Sequence, residues 1–141
     1  MAQQVYQLGI EATLKIIGGK WKPIILCHLG YGEVRSGELK KKIPGVSQKV
    51  LTEQLKELEA DGIISRQVYN EVPPKVIYSL TEEGKTLREV LITMSIWGEN
   101  RINKAQENGE EVLLINKNHN GFMEMWGLVT KKSNKKVQFQ M

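Results

Sequence analysis

The side chains in this chain that could do covalent or metal chemistry are few and scattered. Cys27 and His28 are neighbours, and His119 stands alone in a polar Asn-His-Asn turn. On a helix, successive residues point about 100° apart, so Cys27 and His28 cannot serve each other as nucleophile and base. One cysteine and two separated histidines make no metal site and no intramolecular disulfide. The chain is therefore expected to have no catalytic residue, no metal and no cofactor. A denser chemistry lies between Ser47 and Lys56, SQKVLTEQLK. Gln48 carries the donor and acceptor pair that suits adenine. Lys49 and Lys56 suit guanine, Glu53 can accept from the cytosine amino group, and the Thr52 methyl can touch that of thymine. The plain alternative is a solvated helix face, with Glu53 paired to Lys49 or Lys56, because amphipathicity says only which side is out.

The elements that must position those residues can be read on either side. Ser47 is a good helix N-cap. Leu51, Leu55 and Leu58 recur at i, i+4, i+7, with Val50 on the flank, and define an inward face. Lys49, Thr52, Glu53 and Lys56 then share the outer face, with Gln48 near its edge. Gly62 suits the left-handed stop. Upstream, Ser36 is the expected N-cap of a helix through Ile43, with Leu39 and Ile43 inward and Lys40, Lys41 and Lys42 outward. Pro44-Gly45-Val46 is a short turn between the two helices, which together describe a helix-turn-helix. Downstream, Ile63, Ile64, Val68 and Tyr69, then Val76, Ile77, Tyr78 and Leu80, predict a two-stranded hairpin. Its tip, Asn70 to Lys75, must be a loop because Pro73 and Pro74 lack ladder donors. Ser36, Lys40, Lys41, Lys42, Arg66, Pro73, Pro74 and Lys75 are candidates for contact with a nucleic-acid backbone. For any single lysine, solubilising charge explains its presence equally well.

The rest of the chain supports this unit. Ile10, Leu14 and Ile17 predict a first helix from Gly9 to Ile17, stopped by Gly18-Gly19. Trp21 to Leu29, with Pro23 in its first turn, predicts a second helix apolar around most of its circumference. Thr81 is expected to cap the longest helix, running to about Asn108. Leu87, Leu91 and Met94 form one stripe along it, and Val90, Met94 and Trp97 an adjoining row. That is more apolar surface than one small core needs, so Ile10, Leu14, Leu87, Val90, Leu91, Met94 and Trp97 are assigned to a homodimer interface. Residues 109–141 read as a C-terminal extension without a readable role, and its end, KKSNKKVQFQM, is polar enough to be disordered in isolation. The architecture expected is α+β, mostly α: a winged helix-turn-helix over residues 1–108 with a long C-terminal dimerisation helix. A surplus of four positive charges, 20 Lys and Arg against 16 Asp and Glu, suits a polyanionic partner without requiring one. The absence of a basic-then-apolar leader and of a long apolar run predicts a cytoplasmic protein with no membrane partner.

Three separated segments carry a resemblance. GIEATLKIIGGKW from Gly9, IPGVSQKVL from Ile43, and TEQLKELEADGIISRQVYNEVPPKVIYSL from Thr52 closely resemble the HxlR-type winged-helix transcriptional regulators, which are related to the MarR regulators. The match runs from Gly9 to about Gly98. It implies a homodimer, held by its terminal helices, on a pseudo-palindromic operator in double-stranded DNA, with Ser47 to Lys56 as recognition helix and Asn70 to Lys75 as wing. One position departs from the pattern. Many members carry a sensing cysteine just before the first helix, where this chain reads Leu8-Gly9-Ile10-Glu11. The redox role is therefore not implied, and Cys27 in an apolar helix is a poor substitute. Two other readings stand beside this one: a winged protein-interaction module without sequence-specific DNA binding, and a pocket between the first and terminal helices that takes a small effector.

Overall fold

The computed structural model describes residues 2–116, so the expectations for most of the C-terminal extension, including the turn around His119, lie outside the described residues. Nine elements follow in order: α1 (Gly9–Ile17), α2 (Trp21–Leu29), β1 (Val34–Arg35), α3 (Ser36–Lys42), α4 (Gln48–Ala60), β2 (Ile64–Tyr69), β3 (Lys75–Leu80), α5 (Glu82–Lys85) and α6 (Arg88–Glu107).

One buried cluster holds them together. Ile25, Leu26 and Leu29 of α2, Leu39 of α3, Leu51, Leu55 and Leu58 of α4 and Leu91 and Ile92 of α6 share it with Ile64 and Tyr78 of the sheet. The i, i+4, i+7 leucines of α4 are therefore the contact that seats the helix. Ser47 caps it as expected: its Oγ accepts from the Val50 N–H at 3.1 Å. Gly62 follows α4 at φ +76°, a left-handed conformation in which a side chain would be strained.

The sheet has three strands rather than two. Its order is β1-β3-β2, all antiparallel, with Tyr69 opposite Lys75 at the hairpin end and Val34 opposite Tyr78 on the other side of β3. A two-residue strand is too short to show alternation, which is why β1 left no periodic signal. Ser36 also shifts role. It is the first helical residue of α3, and Arg35 occupies the position before it.

The single long terminal helix is in fact two. Thr81 accepts from Gly84 N–H at 3.0 Å and so caps α5, but the chain turns at Thr86-Leu87 before α6 begins. The cause is a tertiary anchor. Thr81 Oγ1 donates to the carbonyls of Gly62 and Ile63, and Gly84 packs so closely on Ile63 that a Cβ there would collide with its carbonyl oxygen. That docking fixes the direction of α5 against the sheet. The turn then lets Leu91 and Ile92 of α6 reach the core. No helix among the described residues is long and apolar enough to cross a membrane.

Candidate nucleic-acid interface

The outer face of α4 carries the side chains that the spacing placed there. Gln48, Lys49, Glu53 and Lys56 are exposed and Thr52 is half-buried. In the first turn, the Gln48 Nε2 donates to Thr52 Oγ1 at 3.0 Å, so these two side chains are held as a unit. Glu53 makes no ion pair with Lys49 or Lys56. The three pairs among the described residues are Lys22–Glu57, Lys41–Glu38 and Lys85–Glu82.

Three elements converge beside this face. A cleft of about 390 Å³ is lined by Ser36 from α3, by Gln48, Thr52 and Lys56 from α4, and by Arg66 and Tyr78 from the sheet. A second cleft of about 230 Å³ runs between Arg35, Ser36 and Glu38 on one side and Pro74 of the wing on the other. The structure thus gathers donors from positions 36, 48, 52, 56 and 66 into one groove, whose wall also carries the Glu59 carboxylate and Val76, flanked by Arg35. Arg35 went unrecognised in the sequence because its strand is only two residues long. Only the register of Arg35 opposite Ile77 places it there.

Several other candidates stand apart from the groove. Lys40, Lys41 and Lys42 line neither cleft. Lys41 bonds Glu38 at 3.3 Å on the helix surface, and Lys42 lies close enough to His28 to act on it. The His28 imidazole is held below its usual value, first by burial and second by the positive charge of Lys42. Lys49 and Glu53 are exposed on α4 outside the cleft lining. At the wing tip Pro73 and Pro74 are exposed, Val72 is fully so, and the Lys75 ammonium sits 5.2 Å above the Tyr69 ring.

A further charge was not anticipated. Lys22, on α2, is buried, and its ammonium reaches Glu57 Oε1 on α4 at 2.5 Å. Lysine is rarely buried without a partner, and this one ties the core helix to the back of α4. Near it, the Trp21 ring lies beneath Gly45, the left-handed residue of the turn joining α3 to α4.

Away from the groove, Ile10 and Leu14 of α1 and Val90, Met94 and Trp97 of α6 are exposed, with Trp97 at 52%. Leu87 is half-buried against the core. Leu91 departs from the expectation: it is 1% exposed, packed inside its own chain and unavailable to a partner. Between α1 and α5, Ala12, Ile16, Glu83 and Leu87 border a shallow cleft of about 230 Å³, below the roughly 300–1,000 Å³ usual for small-molecule pockets. No group of three or more His, Cys, Asp or Glu among the described residues could hold a metal.

Comparison with known proteins agrees with this layout. Residues 16–106 match the model of the HxlR-like helix-turn-helix family. The HTH-type transcriptional regulator YtcD of Bacillus subtilis (strain 168) is 51% identical over 113 residues, covering 80% of this chain and 90% of that protein. The crystal structure of ytcD, at 55% identity, superposes with a TM-score of 0.65 over 69% of this chain and 99% of its own. The redox regulator HypR in its oxidised form, at 50% identity, gives 0.63 over 66% and 96%. With the helix-turn-helix and the wing inside the matched span and α6 inside it to residue 106, this chain belongs to the HxlR-like helix-turn-helix family of transcriptional regulators.

Proposed function

We propose that the protein acts as a homodimer that binds a pseudo-palindromic operator in double-stranded DNA, reading bases with the outer face of α4 and contacting backbone with the wing and the start of α3. The observation that carries this reading is the groove in which Ser36, Gln48, Thr52, Lys56 and Arg66 converge from three elements. Hydroxyl, amide and cationic donors arranged around an exposed helix match what phosphate contacts and base edges require. Arg35 joins Ser36, Arg66 and Lys75 as backbone contacts, and Pro73 and Pro74 shape the wing tip.

The second copy is supported by the apolar faces of α1 and α6. Ile10, Leu14, Val90, Met94 and Trp97 lie uncovered on helices that bury only Ile17 (α1) and Leu91 and Ile92 (α6), and α6 has 20 residues, roughly 30 Å, over which two copies could pair. HypR is a redox regulator by its own name, but the only cysteine in this chain is Cys27, half-buried on α2, and Leu8 stands where a sensing thiol precedes the first helix in many members. The proposal therefore includes no N-terminal thiol switch.

The test uses operator DNA recovered from a randomised duplex pool. Lys49→Ala combined with Thr52→Ala is expected to abolish operator binding in a mobility-shift assay while sedimentation still reports a dimer. Met94→Lys with Trp97→Ala is expected to shift sedimentation to monomer and to weaken operator binding along with it. Unchanged operator affinity in the first variant would remove α4 as the reading surface, and strong DNA binding that unrelated sequence competes away equally would favour a module without sequence specificity.

A further inference from the structure

Of the side chains on the outer face of α4, one is already held in place. Lys49, Glu53 and Lys56 make no side-chain hydrogen bond among those described, whereas the Gln48 carboxamide is tied to Thr52 one turn on, at 3.0 Å. Gln48 is also the first residue of α4, and it lines the groove between Ser36 and Arg66. The N-terminal residues of a recognition helix are those that approach base edges.

We propose that Gln48, oriented by Thr52, is the adenine-specifying residue of the operator half-site. This rests on the reading that α4 enters the major groove. A carboxamide has two N–H donors on one nitrogen. In this scheme Thr52 Oγ1 accepts from the N–H that points away from Oε1, which leaves the N–H on the Oε1 side and Oε1 itself as a donor and acceptor pair on a single edge. Adenine presents the complement in the major groove: N7 accepts, and the N6 amino group donates. Guanine presents two acceptors, N7 and O6, so Oε1 would face an oxygen. The pair therefore discriminates by repulsion as well as attraction. Thr52 is a positioning residue in this scheme. By accepting from Nε2 it fixes the amide plane before DNA arrives, so that less side-chain freedom is lost on binding.

The experiment selects duplexes from a randomised pool with the full chain, and with the Gln48→Ala and Thr52→Val variants, and then measures affinity for single-base changes by fluorescence anisotropy. Dimerisation and thermal melting are checked for each protein, and because Gln48 is exposed both are expected to be unchanged in Gln48→Ala. The wild-type protein is expected to prefer adenine at one position of each half-site by about 5- to 150-fold, the range of a good bidentate contact. Gln48→Ala should reduce that preference to near unity while leaving the other positions as they were. Thr52→Val should weaken the same preference several-fold. Replacing that adenine with 7-deazaadenine should lower wild-type affinity and leave Gln48→Ala unaffected. A selected site whose preferences are all unchanged in Gln48→Ala overturns the assignment of Gln48 and leaves the recognition role of α4 standing. Failure of the wild-type protein to select any sequence overturns both.

Discussion

Glu57→Ala should destabilise this protein more than Lys22→Met, although it removes the more exposed member of the pair. The Lys22 side chain is 9% exposed and the Glu57 side chain 56%, with the ammonium on Oε1 at 2.5 Å. Truncating one partner of a fully buried pair costs about 3–5 kcal/mol, because the other charge is left without compensation. Here water already reaches Glu57 and could reach the abandoned ammonium through the space the carboxylate vacates, so we take roughly a third of that, about 1–2 kcal/mol. For a domain of this size each kcal/mol moves the melting temperature by about 3–6 °C, which gives a fall of roughly 3–12 °C. Lys22→Met removes the buried charge itself and returns Glu57 to the solvent it already touches, so its cost should stay within about 0.5 kcal/mol. The double variant should match Lys22→Met, and the difference isolates the pair. Thermal unfolding at one fixed protein concentration measures all four proteins, since the melting temperature of a dimer depends on concentration. A Lys22→Met loss equal to or larger than that of Glu57→Ala would refute the reasoning.

Two further outcomes follow from the packing. Gly84→Ala would drive a methyl group into the Ile63 carbonyl and is expected to cost about 1–3 kcal/mol. Gly37→Ala in α3, where nothing lies near the added methyl, should instead stabilise by about 0.5–1 kcal/mol, and urea midpoints compare the two. His28 is held below its ordinary value near 6.5 by burial and Lys42, so as pH falls through that value the unfolded chain takes up the proton before the folded one does. Stability should then fall as pH drops from about 7 towards 5 and be present in full above that window. His28→Gln should flatten the dependence measured by urea unfolding at pH 5.5 and 7.5; an unchanged slope would remove His28 as its source.

What could be read in the residues, and what could not, divides by the range of the interaction. The bounds of α1, α2 and α4, the Ser47 and Thr81 caps and the Gly62 stop all depend on contacts within a turn or two of chain, and each stands where the spacing places it. Strand β1 exists only because β3 supplies its ladder. The break between α5 and α6 exists only because Gly84 docks on Ile63, a residue of the chain just before β2. The helical period along Leu87, Leu91 and Met94 was real, but it could not say which of the three points into the chain's own core. The site follows the same division. The outer face of α4 was legible as a wheel, and the bond between Gln48 and Thr52, four residues apart, is of the local kind. The groove needed Ser36 and Arg66 to arrive from 12 residues before and 18 after Gln48, and the lysines of α3, legible as charge, lie outside its lining.

The same packing joins the two halves of the proposed function. Leu91 and Ile92 of α6 lie in one buried cluster with Leu51, Leu55 and Leu58 of α4, and the Lys22–Glu57 pair fastens α4 to α2 outside it. Close-packed interiors transmit displacement rather than absorb it. In the proposed dimer, the outer side of α6 meets the second copy while Leu91 and Ile92 on its inner side join the buried cluster that also seats the reading helix. The angle between α4 and the two-fold axis is then a property of core side chains that touch neither DNA nor partner. A volume change at Leu55 or Ile92 should therefore alter the half-site spacing the dimer accepts, with Gln48 and Thr52 untouched. Base preference within a half-site and spacing between half-sites are separable, the first belonging to the exposed face of α4 and the second to the core behind it.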